Sequence, residues 1–306
     1  MVSCGVTVDA MTTQPLLGRH LAAMITPMTP DGQVSRTDVE RLVDHLVDGG
    51  CDGIVVAGTT GEAPTLTRAE TTSLVELVAS RTQGAARVIA GVGSNVTSDS
   101  IAAAREAASA GADGLLLVTP YYSRPSQAGL VEHCSAVAAA TDLPVLLYDV
   151  PVRTGTSLAP ESLARLATLP TVVGIKDAKG DLVESMTVAR DTGLDHYCGT
   201  DELDLPHLSA GAVGLVSVVA NLAPGLTGRL IDAVRDGRLD EARAINDELL
   251  PLALGLMRPG PGAATAKAAL AAAGIISSST VRLPLVAEPL PGAVQRWLSR
   301  HHSFAA

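Results

Sequence analysis

Eight short, almost wholly apolar runs alternate with amphipathic helical stretches between residues 21 and 235. This rhythm predicts an α/β chain closed into a (β/α)8 TIM barrel, with additional C-terminal helices. Two further observations favour closure. The strand candidates are apolar on both faces, as parallel strands are when helices cover one side and packed side chains the other. The turn after the first strand, TPMTPDG at 26–32, lacks the glycine-rich phosphate loop of an open doubly wound sheet.

The elements follow in order. The first strand is read over 21–28, and a helix over 36–48 carries Val39, Leu42, Val43, Leu46 and Val47 on one face behind a Ser35 N-cap. Strands at 53–57, 87–93 and 114–120 are each followed by a helix, at 68–80, 98–109 and 126–140, the second stopping at Gly111. PVLLYDVP at 144–151 precedes a helix near 160–167, and TVVGIK precedes one near 181–191. A weaker seventh strand, 195–199, leads into LDLPHLSAG, and GLVSVVA at 214–220 precedes a helix at 225–235. The strand rhythm then stops, leaving helical stretches at 239–257, 263–273 and 291–300. The expected organisation is a flexible extension over 1–17, the barrel over 18–237, and a helical segment over 238–306 packed on it.

Composition removes several function classes. The net charge is −10 and the 22 basic residues are scattered, so no nucleic-acid partner is expected. No apolar run is long enough to span a bilayer, and the N-terminus has no secretion signal. Cys4, Cys51, Cys134 and Cys198 form no CxxC pair and have no histidine at metal-like spacing. Free thiols in the cytoplasm are expected, with no metal.

In a barrel the residues at the C-terminal ends of the strands converge on one mouth. Here they include Thr26, Thr59, Thr60, Glu62, Tyr121, Tyr122, Tyr148, Asp149, Arg153, Lys176, Asp177, Thr200, Asp201 and Ser217. Lys176 ends the apolar run VVGIK and would enter a narrow interior. An amine shielded from water holds its proton less firmly, and the neutral amine is a nucleophile that forms a Schiff base with a ketone. Lys179 lies in the loop beyond and is expected to be better solvated. Schiff-base formation moves protons, and Tyr148, one strand from Lys176, is the candidate shuttle. Of Thr59 and Thr60, one hydroxyl could relay a proton and the other bind a carboxylate. Glu62 is read as a brace for the following helix. Arg153 stands over the mouth as either a carboxylate clamp or half of a surface salt bridge.

GTTGE at 58–62, VTPYYSRP at 118–125, LYDVPVRTG at 147–155 and GIKDAKG at 174–180 also occur in the order and spacing of a known family. From about residue 18 to about 300 the chain resembles the dihydrodipicolinate synthase/N-acetylneuraminate lyase family, most closely its actinobacterial synthases. The resemblance implies that Lys176 forms an imine with pyruvate and that Tyr148 relays protons. It implies that Thr59 links Tyr148 to Tyr122, which reaches in from a neighbouring subunit, with Tyr121 beside it at the interface. Thr60 would contact the pyruvate carboxylate, the Val216 backbone would lie near pyruvate, and Gly199 would border the second-substrate pocket. Arg153 would hold the carboxylate of L-aspartate 4-semialdehyde. No cofactor beyond the covalent imine is implied, and the assembly would be a homotetramer built as a dimer of dimers. The chain departs from the family at Thr200, where an Asp is frequent. It also departs at the lysine-feedback site, where Arg68 and Thr71 replace histidines and Asp99 replaces a glutamate. The alternatives are another class I pyruvate aldolase, acting on a sugar acid or 4-hydroxy-2-oxo acid, and a non-catalytic binding protein on the same barrel.

Overall fold

A computed structural model describes residues 14–258 and 260–301. Eight parallel strands pair in sequence order, and the first pairs with the last, so the sheet closes. They are β1 (His20–Ala23), β2 (Gly53–Val56), β3 (Arg87–Gly91), β4 (Gly114–Val118), β5 (Val145–Asp149), β6 (Val172–Asp177), β7 (Asp195–Cys198) and β8 (Gly214–Ser217). The outer helices are α1 (Arg36–Asp48), α2 (Arg68–Thr82), α3 (Thr97–Ser109), α4 (Gln127–Ala138), α6 (Pro160–Leu166), α7 (Leu182–Thr192), α8 (Asp204–Ser209) and α9 (Pro224–Arg235). A single turn, α5 (Pro151–Thr154), precedes α6, and α10 (Leu239–Met257), α11 (Gly262–Ala272) and α12 (Gly292–Arg300) follow α9.

The predicted helix starts rest on real caps. Ser35 accepts a bond from the Asp38 N–H, and Thr67 with Glu70 makes a reciprocal capping box at the start of α2. Several strands are shorter than their apolar runs. Residues 20–28 are all buried, yet pairing with β2 stops at Ala23, and Ile25 N–H donates instead to the Asn221 side chain. The expected eighth strand over 214–220 ends at Ser217, because Asp201 captures the Ser217 hydroxyl and the Val218 and Val219 N–H groups. Burial made these residues apolar, but only ladder bonding makes a strand. The single turn α5, which carries Arg153, was not expected.

Of the extension read over 1–17, residues 1–13 lie outside the described residues. Leu17 is buried at the N-terminal end of the barrel, where it fits because Gly114 has no side chain; a Cβ there would stand 2.7 Å from a Leu17 methyl. Tyr197 fills the interior nearby, its hydroxyl donating to Gly18 O at 2.8 Å. One continuous apolar core joins the barrel to Leu249, Leu252, Leu256 and Leu270 of α10 and α11 and to Val294 and Trp297 of α12. Cys51, Cys134 and Cys198 are free and buried, and burial pushes the first two thiols up to about 12. Cys4 lies outside the described residues. Among those residues, no helix is long and apolar enough to cross a membrane.

His196 in β7 sits between the barrel and the helices α7 and α8, in a small cleft lined also by Ser185, Met186 and His207. Burial lowers its pKa from 6.5 to about 4; Asp177 opposes the shift, while Lys179 and His207 add to it. The unfolded chain therefore binds this proton first as pH falls, so the neutral ring's contribution is complete above 6.5 and lost toward 4. The shift corresponds to roughly 3 kcal/mol. Thermal unfolding followed from about pH 7 down to about pH 4.5, most of the way between the unfolded and folded titrations of the ring, should show a falling midpoint. His196→Leu should flatten that slope.

Candidate active site

Parallel pairing places Tyr148 of β5 beside Lys176 of β6, at one level of the barrel. Both residues are 5 % exposed, and the Lys176 Nζ lies 4.3 Å from the centroid of the Tyr148 ring. The run VVGIK thus ends in lysine because the stem is buried in the barrel wall while the amine meets a phenol ring near the mouth. Across the other edge of β6, Gly199 follows β7 and its N–H donates to Asp177 O at 2.8 Å. A Cβ at Gly199 would stand 2.9 Å from both Cγ and Cε of Lys176. Gly199 therefore leaves the room that the lysine stem occupies.

Lys179 does not meet its expectation of better solvation: its side chain is only 8 % exposed. It pairs with Glu184 and lies 3.7 Å from an Asp149 carboxylate oxygen. Burial works to lower its pKa, but the Glu184 hydrogen bond and the charges of Asp177 and Asp149 prevail and hold it raised. A third buried lysine, Lys267, pairs with Glu62. Among the described residues Lys176 makes no ion pair. Charge pairing, and not exposure, separates the candidate nucleophile from its neighbours.

A cavity of about 300 Å³ opens at the mouth. Thr59, Tyr121, Tyr148 and Arg153 line it together, over a floor that includes Leu116 and Val118. Arg153 is exposed on α5 and, among the described residues, makes no ion pair or hydrogen bond through its side chain. Among those residues it is not half of a surface salt bridge, and its guanidinium stands at the cavity without a side-chain partner. Its loop is anchored by Asp149, which is fully buried and accepts from Ser157 Oγ at 2.8 Å and Leu158 N at 2.9 Å. Burial raises the pKa of Asp149 against those bonds and the charge of Lys179.

The other predicted residues are more dispersed. Thr60 is half-buried in the turn after β2, and Val216 is buried in β8, paired with Leu21. Neither lines the cavity, nor does Lys176, which contacts Tyr148 behind its wall. Tyr121 lines the cavity instead of facing only outward, and separates it from a second one of about 360 Å³ that holds Arg68, Thr71 and Asp99. Arg68 pairs there with Glu106. Tyr122 does not line the cavity and is 90 % exposed, at φ 72°. Glu62 does not brace α2, whose cap uses Glu70; it binds the C-terminal segment through Lys267 and the Arg282 N–H. The signal for that contact was Lys267 itself, a lone charge within AATAKAAL. Asp201 was noted only as a strand-end acid. It is buried behind the lysine and pins the end of β8; burial raises its pKa, while the bonds from Ser217, Val218 and Val219 and the charge of Lys176 oppose this.

Residues 16–290 match the dihydrodipicolinate synthetase family. This chain belongs to that family. It is 48 % identical over 269 residues to the 4-hydroxy-tetrahydrodipicolinate synthase of Acidothermus cellulolyticus, covering 88 % of this chain and 87 % of the relative. Identity to the synthase of Cutibacterium acnes is 46 % over 288 residues, covering 92 % and 98 %. The crystal structure of the chloride-inhibited dihydrodipicolinate synthase from Acinetobacter baumannii, complexed with pyruvate, superposes with a TM-score of 0.86 at 35 % identity, covering 94 % and 99 %. In this dihydrodipicolinate synthetase family member, four strand-end motifs spread over more than a hundred residues come together around one lysine and one tyrosine.

The close approach of Gly199 to the lysine stem gives a direct test. Gly199→Ala should displace Lys176 and slow its reductive trapping with pyruvate by about tenfold or more. The thermal midpoint should fall by only a few degrees, roughly what 1 kcal/mol costs a domain of this size. Trapping at the unaltered rate would show that the stem is not confined by β7.

Proposed function

We propose that this chain condenses pyruvate with L-aspartate 4-semialdehyde through an imine on Lys176, giving 4-hydroxy-tetrahydrodipicolinate. The observation that carries the reading is the buried, unpaired Lys176 amine set against Tyr148 at the wall of a cavity that also presents Thr59 and Arg153. The names of the curated relatives support the same reaction.

Pyruvate enters with its carboxylate toward the Thr59–Thr60 turn and the Val216 backbone. The Lys176 amine adds to the ketone carbon, and the carbinolamine loses water to give a protonated imine. That cation is an electron sink, so the adjacent methyl carbon releases a proton and becomes an enamine. Tyr148 carries protons for these steps, with Thr59 passing them toward Tyr122 of a neighbouring copy. The enamine carbon then attacks the aldehyde, whose oxygen takes up a proton to become the hydroxyl. Arg153 holds the carboxylate of this second substrate. Finally the substrate's own amine attacks the imine carbon, displaces Lys176 and closes the six-membered ring.

The assembly is part of the proposal. A non-glycine residue at positive φ is uncommon, and Tyr122 has both that backbone and a nearly complete exposure. Arg124 of the same loop lies against Gly155, which follows α5, and on α5 Val152 is a further apolar residue left 88 % exposed. We place a two-fold contact on this rim, with Tyr122 completing the partner's site, and two such dimers forming a tetramer.

Borohydride added with pyruvate should leave a reduced adduct on Lys176, found by peptide mapping. Arg153→Ala should still form that adduct at near the unaltered rate while kcat/KM for the semialdehyde falls about a hundredfold, the scale of losing a charged contact to substrate. Sugar-acid aldehydes tested alongside should not replace the semialdehyde. An adduct on Lys179, or none, would refute the assignment.

Tyr122→Phe should lower kcat by about a hundredfold with assembly intact. Mixed with Lys176→Ala protein and allowed to exchange subunits, it should regain activity, since a hybrid pair holds one complete site. Exchange proven by mass without recovered activity would place Tyr122 outside the partner's site.

A further inference from the structure

The turn that carries Thr59 and Thr60 is held from two sides. Its backbone is closed by the Glu62 N–H, which donates to Thr59 O at 3.2 Å, and the Thr26 hydroxyl donates to Gly61 O at 2.7 Å. Glu62 itself adopts a left-handed conformation, φ 59° and ψ 34°, which a glutamate does not favour without support. The support comes from far along the chain. The Glu62 side chain pairs with Lys267 of α11, both side chains being 0 % exposed, and it accepts the Arg282 N–H at 3.0 Å. Lys267 also donates to Thr280 O at 2.8 Å. The Arg282 side chain donates to Gly32 O at 2.9 Å and Thr65 O at 2.8 Å, and pairs with Glu70.

We propose that Glu62 and Lys267 are positioning residues, through which the C-terminal segment sets the Thr59–Thr60 turn for the keto acid. This rests on the chemistry proposed at Lys176. An ion pair placed only for stability would have no need of a strained backbone at the very residue that donates the turn's closing bond. Here the carboxylate that takes up the lysine belongs to the residue whose N–H closes the turn on Thr59. Arg153 stands on a separate loop, anchored by Asp149, so the two substrates are held by independent supports.

That independence supplies the test. Lys267→Met alone would leave a buried carboxylate unpaired and endanger folding. Two gentler proteins avoid this. Glu62→Gln/Lys267→Met removes both charges, and Glu62→Asp keeps both but shortens the arm that reaches α11. Circular dichroism and thermal melts establish which of them is folded at the assay temperature. In a folded variant, KM for pyruvate should rise about tenfold and trapping of the Lys176 adduct should slow in parallel, as a displaced binding turn requires. KM for the semialdehyde should change by less than about twofold. Unchanged kinetics in a folded variant, or an equal shift for both substrates, would overturn the proposal and leave the pair a stabilising brace. Absence of any pyruvate adduct in the unaltered protein would overturn the parent reading, and this one with it.

Discussion

The hydrogen bonding of β1 to both β2 and β8 is the constraint on which the rest depends. Closure leaves no free strand edge, so strands of four to six residues suffice. It also fixes the order in which strand ends arrive at the rim. Val118, Tyr148, Lys176 and Tyr197 lie in register on four successive strands. A one-residue slip between β5 and β6 would turn either the tyrosine or the lysine to the opposite face. The neighbour of each, Asp149 or Asp177, already faces away from the interior toward the loops and helices that surround it, where it binds Ser157 or Ser185.

Burying charge beside that register demands compensation. An uncompensated buried partner costs roughly 3–5 kcal/mol when its pair is broken. Lys179 is answered by Glu184 and Asp149, and Lys267 by Glu62. Asp201, the acid behind Lys176, spends its oxygens on the end of β8. Lys176 is thereby left without a paired carboxylate, facing a phenol and a cavity wall. The same bonds that stabilise the neighbours thus leave Lys176, among the three buried lysines of the described residues, the one without an ion pair. They also stiffen the loops: Asp149 anchors the Arg153 turn, and Asp201 holds the backbone beside Val216.

The helices after residue 238 are bound to the barrel by apolar and polar contacts of different reach. Leu249, Leu252, Leu256 and Leu270 extend the core. Ser277 binds Asp38 at the start of α1, and Arg282 spans the top of α1 and α2. Glu70 feels this contact: its hydrogen bond to Arg282 is the chief reason its carboxyl is lowered to about 2. A segment that reads as an appendage in one dimension is therefore bonded to the first two βα units.

The sequence by itself determined the barrel and the meeting of Lys176 with Tyr148. Apolar runs at regular spacing specify parallel strands, because a strand buried on both faces has few other solutions, and Lys176 and Tyr148 each end such a run. Local capping at Ser35 was equally legible, since a cap is decided within a few residues. Only the tertiary structure decided what depends on contacts between distant residues. Apolarity marked 21–28 and 214–220 as buried but could not show where ladder bonding would stop, because Asn221 and Asp201 compete for the backbone there. Exposure was expected to tell Lys176 from Lys179, whereas both side chains are buried and the distinction is that Lys179 has carboxylate partners and Lys176, among the described residues, has none. Glu62 was placed at its own helix, but its partner lies 205 positions further on at Lys267. A side chain's local sequence limits where it can point; which charge meets it there is settled by packing.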